Sequence, residues 1–214
     1  MNLLNQTKPI LQCKQRGLYC KEFPGFLSLY LKIAGKTIYS GIYSCLDQVF
    51  VIWGLISAAI FITAQFSPIS WTTQAIIWSI LTLAGTLSMV ILTYFWVQVK
   101  QIQWILYTWV IIMVGGVILT DCGIFLGWVH ILANLSHLWL GLCGLGYLIT
   151  GWGVNSRALL LTGLLHLLGI AILPYVIGWQ FLATGLIMLA SLLLLAETRW
   201  DIDLPLAGGE GVGK

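Results

Sequence analysis

The sequence predicts an all-α integral membrane protein, a bundle of six transmembrane helices with both termini on the cytoplasmic side. Three observations predict it. Of 214 residues 59% are apolar and only 8% charged, with a mean hydropathy of +0.96, far too few charges to solvate a globule of this size. The apolar residues fall into six runs of about 17 to 24 residues, the length that a bilayer core of about 30 Å demands of a helix rising 1.5 Å per residue. With the amino terminus inside, six crossings place all ten Lys and Arg on the cytoplasmic side and leave the three outer turns only Asp121.

In chain order, residues 1–47 form a basic segment carrying Lys8, Lys14, Arg16, Lys21, Lys32 and Lys36, with Glu22 the single acid before Asp47. No apolar stretch follows the first basic residues, so no cleavable signal peptide is expected. Pro24-Gly25 interrupts the segment. Residues 26–43 then mix apolar side chains with two lysines, as an interfacial helix on anionic headgroups would. A disordered tail or a docking arm for a partner is the competing reading.

The transmembrane domain, 48–196, divides into spans at 48–65, 74–97, 104–120, 128–149, 157–173 and 177–196. Short turns join them. Trp71, Trp128 and Trp179 near outer ends and Trp96, Trp104, Trp152 and Trp200 near inner ones mark two aromatic belts. The first three spans hold no counterpart of the histidines in the last three, so no inverted repeat of the transporter kind is visible. Residues 197–214 read as a flexible cytoplasmic tail. Its "GGEGVGK" at 208–214 matches the start of a phosphate-binding loop but lacks the flanking strand and helix, so no nucleotide is expected.

Chemistry-bearing residues are few. The basic residues form no patch interleaved with aromatics, which argues against nucleic acid. Cys13, Cys20, Cys45, Cys122 and Cys143 have no metal-type spacing and read as ordinary small residues. All three histidines lie between Trp128 and Gly169. On one helix His130, Asn134, His137, Gly141 and Gly144 would form a polar, small-residue stripe, and Thr162, His166 and Gly169 a second stripe on the next helix. Counting from the span ends puts His137 about 15 Å and His166 about 14 Å into the bilayer, near one level. His130 sits nearer the outer surface, where it can pair with Asp121 across the short turn.

An intramembrane histidine is a functional candidate by default, and a neutral imidazole bonded to Asn134, Ser136, Thr162 or a carbonyl is the structural alternative. His130 and His137 stand about 10.5 Å apart along a helix, too far to share one metal, so no metal site is expected. A b-type haem or a chlorophyll is the cofactor class these residues would suit: His137 and His166 as axial ligands, with Gly141, Gly144 and Gly169 leaving flat room. "HILAN", His130 to Asn134, resembles the H-x-x-x-N of rhomboid intramembrane proteases over five residues. No G-x-S-G serine motif accompanies it, and the chain does not read as an enzyme.

Two main functions remain open from sequence. One is a non-enzymatic multi-pass membrane subunit or assembly factor, in contact with the lipid bilayer and with other membrane subunits. The other is a tetrapyrrole-binding protein for electron transfer or pigment binding. A small transporter or channel using the polar stripe is the third. Each places the chain in a cytoplasmic or internal membrane.

Overall fold

The computed structural model describes residues 9–14, 27–33 and 36–201, so Lys8, Arg16, Lys21 and the "GGEGVGK" tail lie outside the described residues. Seven α-helices follow one another: α1 Cys45–Phe66, α2 Trp71–Val99, α3 Gln103–Phe125, the short α4 Val129–Ala133, α5 Leu135–Gly153, α6 Arg157–Ile172 and α7 Gln180–Glu197. A 3-10 turn, Leu173–Val176, extends α6. Two short antiparallel strand pairs complete the described chain. Strand β1 (Leu11–Cys13) pairs with β4 (Thr198–Trp200), and β2 (Leu27–Ile33) with β3 (Lys36–Tyr43).

Five of these helices are long and apolar enough to cross a bilayer: α1, α2, α3, α6 with its 3-10 turn, and α7. The sixth expected span departs from expectation. The chain leaves helical geometry at Asn134 (φ −120°, ψ 21°), whose backbone N–H turns back to the Ile131 carbonyl and whose side-chain amide donates to the His130 carbonyl at 2.9 Å. The 128–149 segment is therefore a five-residue helix and a separate 19-residue, glycine-rich α5. His130 and His137 do not share a helix.

Caps fix where the helices begin. Ser44 accepts from the backbone of Asp47 and the Asp47 carboxylate accepts from that of Ser44, a capping box at α1. Ser70 caps α2 and Ser156 caps α6 in the same way, each accepting a backbone N–H three residues on. The turns after α3 and before α7 need left-handed backbone, which Gly127 (φ 68°) and Gly178 (φ 90°) supply.

Where an interfacial helix was expected over residues 26–43, the described residues Leu27–Ile33 and Lys36–Tyr43 are strands. Leu27, Leu29, Leu31 and Ile33 alternate with Ser28, Tyr30 and Lys32, the period of a strand, and the segment pairs with β3 through a register shift at Leu31/Lys32. Of the expected 197–214 tail, the described residues are 197–201. Glu197 ends α7, Thr198–Trp200 are strand, and Asp201 is buried.

The helices close into a ring. α1 packs on α2, α2 on α3, α3 on α5, α5 on α7 and α7 back on α1, while α6 lies against the outside of α5 and α7. The strands gather at the end where α1, α3 and α6 start, hereafter the strand end. Glycines let α5 and α6 approach closely: a Cβ on Gly151 would meet the Leu160 backbone nitrogen at 2.8 Å, and one on Gly163 the Gly144 carbonyl oxygen at 2.9 Å.

Candidate functional site: an apolar cavity in the helix ring

Within the ring lies a cavity of about 130 Å³. All five ring helices line it, with Leu159 of α6 and Trp200 of β4. Along α1 its wall runs from Leu46 to Phe61, fifteen residues or about 22 Å. It is therefore long and thin. It extends from the strand end past the middle of the bundle.

The wall presents carbon and sulfur. Met89, Met113 and Met188 and the rings of Trp53, Trp96, Trp109, Trp139 and Tyr147 are part of it. Several of its polar groups bond to other groups of the helices. The Trp109 indole N–H donates to the Thr150 hydroxyl at 2.9 Å, and that hydroxyl donates to the Gly146 carbonyl at 2.7 Å. The Trp139 indole donates to Thr120 at 3.2 Å, and Thr93 donates to the Met89 carbonyl at 2.7 Å. The two indole bonds link α3 to α5.

The predicted histidines stand outside this space. His166 on α6 is fully buried, and its ring packs on the outer side of Tyr147 with centroids 5.1 Å apart. Its Nδ1 lies 2.8 Å from the Thr162 carbonyl, which only accepts, so Nδ1 carries the hydrogen and Nε2 is a buried acceptor without a partner. His137 is half-buried, with its Nδ1 likewise unpartnered, and His130 is exposed. Asp121 takes the hydroxyl of Ser79 on α2, at 2.9 and 3.0 Å to its two oxygens, rather than the His130 ring. No family model, curated protein or solved structure matches the chain. Its own geometry must carry the functional reading.

That geometry gives a tetrapyrrole no support. Gly144 faces His166, since a Cβ on Gly144 would come within 3.3 Å of the His166 Cβ. His137 lies seven residues along α5 from Gly144, about 10 Å toward the other end of the bundle. The two imidazoles therefore do not share a level. The glycines leave no flat room either: Gly144 is filled by His166 and Leu167, Gly169 by Ile187 and Leu140, and a Cβ on Gly141 would touch Ile170 at 3.8 Å. Among the described residues no group of three or more His, Cys, Asp and Glu is placed to hold a metal ion.

The cavity's own residues were missed although a signal existed. Trp139, Cys143, Tyr147, Thr150 and Val154 follow one another at three- or four-residue steps, a helical line beside the His137 stripe, and all of them line the cavity. Apolar and aromatic residues at that spacing in a hydrophobic span look like any packed face. What separates a lined void from a packed core is the meeting of five helices.

Proposed function

We propose that the protein is a non-enzymatic, accessory multi-pass membrane protein that holds one hydrocarbon chain of a membrane lipid or fatty acid inside its helix ring. One observation carries this reading: the apolar, elongated cavity. In a bilayer the chain gains little from leaving water, because lipid tails are as apolar as the wall. The gain is contact. Atoms lining a void lack dispersion partners on one side, and a chain threaded along the wall supplies them. Shape selects the ligand class: a wall that runs about 22 Å along α1 suits one extended chain.

The proposal includes an orientation with six crossings and both termini cytoplasmic. Its support is charge: Lys14, Lys100, Arg157 and Arg199 all lie at the strand end, while the far turns carry none of the chain's basic residues. Single cysteines replacing Lys100 and Ser67 test it with an impermeant thiol reagent added to intact cells. Labelling is expected at position 67 alone; labelling at position 100 from outside would overturn the orientation. For the ligand, native mass spectrometry of protein released from lipid nanodiscs is expected to show one retained chain. The added mass distinguishes an intact lipid from a free fatty acid.

A further inference from the structure

One residue of the cavity wall belongs to a strand rather than a helix. At the strand end the ring of Trp200 lines the cavity, packed on Phe50 with centroids 6.0 Å apart. Trp200 is held by its neighbours on either side. Asp201, the next residue, is 6% exposed and its carboxylate accepts four hydrogen bonds from the start of α6: Arg157 Nε at 2.8 Å, Ser156 Oγ at 3.1 Å, and the backbone N–H groups of Ala158 at 3.0 Å and Arg157 at 3.2 Å. On the other flank β4 pairs with β1, in the register Leu11 to Trp200 and Cys13 to Thr198. Lys14, just after β1, bridges to Asp47 at 2.9 Å and donates to the Ala196 carbonyl, tying the pair to α1 and α7.

We infer that Trp200 is a gate for this cavity and that Asp201 on the amino end of α6 is its latch. The inference takes its purpose from the lipid-chain reading, which its test can fail separately. A strand pair three residues long has few bonds to break and belongs to the part of a fold that opens locally at low free energy. Most of what holds it shut is gathered on one carboxylate. When Asp201 leaves the α6 terminus, Trp200 swings about the end of α7, where Thr198 is already extended (φ −110°, ψ 157°), and the strand end of the cavity opens.

Cys143 reports on the gate, because it lines the cavity and is 3% exposed. In full-length protein with the other four cysteines replaced by alanine, N-ethylmaleimide is expected to modify Cys143 slowly, read by peptide mass spectrometry. D201N and W200A are each expected to raise that rate at least about tenfold, a hydrogen bond to a charged group being worth about that factor or more. A lock is available in the ladder. T198C stands opposite Cys13, where antiparallel Cα atoms lie about 4.5–5.5 Å apart, within the range a disulfide spans. With Cys13 restored and the disulfide closed, D201N is expected to return to the slow rate and to regain the fast one on reduction.

Unchanged rates in both D201N and W200A, or a locked D201N as fast as the unlocked one, would overturn the gate. Palmitic acid added to W200A is expected to protect Cys143. Absence of protection, with the gate responses intact, would overturn the lipid-chain reading and leave the gate standing.

Discussion

At the scale of single residues, His166 shows how a buried polar group can be costly and still structural. Its Nδ1–H bonds to the Thr162 carbonyl, and its Nε2 is enclosed without a donor, an omission that costs about 1–3 kcal/mol. The ring's shape is what the site uses, since it fills the space between Gly144 and Tyr147. H166L, which keeps the volume and removes the orphan acceptor, is expected to leave the melting temperature in detergent nearly unchanged. H166A is expected to cost about 2–4 kcal/mol through the void it leaves. Equal damage from both variants would mean that the imidazole nitrogens are used; a Soret band lost in either would restore the tetrapyrrole. Sequence singled this residue out correctly as unusual, from a histidine deep in apolar surroundings. Its lack of a partner depends on which groups α5 and α7 bring near it, which no spacing along α6 reveals.

Among the elements, the α5/α6 pair rests on backbone proximity. A methyl at Gly163 would meet the Gly144 carbonyl at 2.9 Å and Leu148 at 2.7 Å, and a carbonyl cannot turn aside as a side chain can. G163A is therefore expected to destabilise the bundle by about 1–3 kcal/mol. G115A on α3 meets nothing within 4 Å and is expected to be neutral or to stabilise by up to about 1 kcal/mol, the helix preference for alanine. Thermal unfolding of the two variants side by side checks this; equal losses would contradict it. The long helices were legible as apolar runs, within a few residues at most ends. Two elements were not. The break at Asn134 depends on one amide turning back to His130, and an isolated Asn in an apolar run gives no sign of doing so. The hairpin at 27–43 was legible in its alternating leucines, and its two lysines drew attention to the headgroups instead.

Across the whole molecule the helices behave as a wall around a space rather than as a packed core. Trp109 and Trp139 spend their indole N–H groups on Thr150 and Thr120, and so hold α3 and α5 together, and both side chains line the cavity. At the strand end Lys14–Asp47 and Arg157–Asp201, each with a carboxylate almost fully shielded from solvent, draw the ends of α1, α6 and α7 together. The sequence predicts those charges on one side of the membrane. It could not pair them, because their partners are 33 and 44 residues apart in the chain. The cavity was equally hidden, being set by which faces of five helices meet.

The most direct test of the central claim fills that cavity. Native mass spectrometry compares the wild-type protein with C143F, which places a phenyl ring in the void and, by removing empty space, is expected to hold or raise stability by about 0.5–2 kcal/mol. The wild-type protein is expected to carry one hydrocarbon-chain ligand, and folded C143F to carry none. Equal ligand occupancy in both, or a wild-type protein that leaves the nanodisc folded and without a chain, would contradict it.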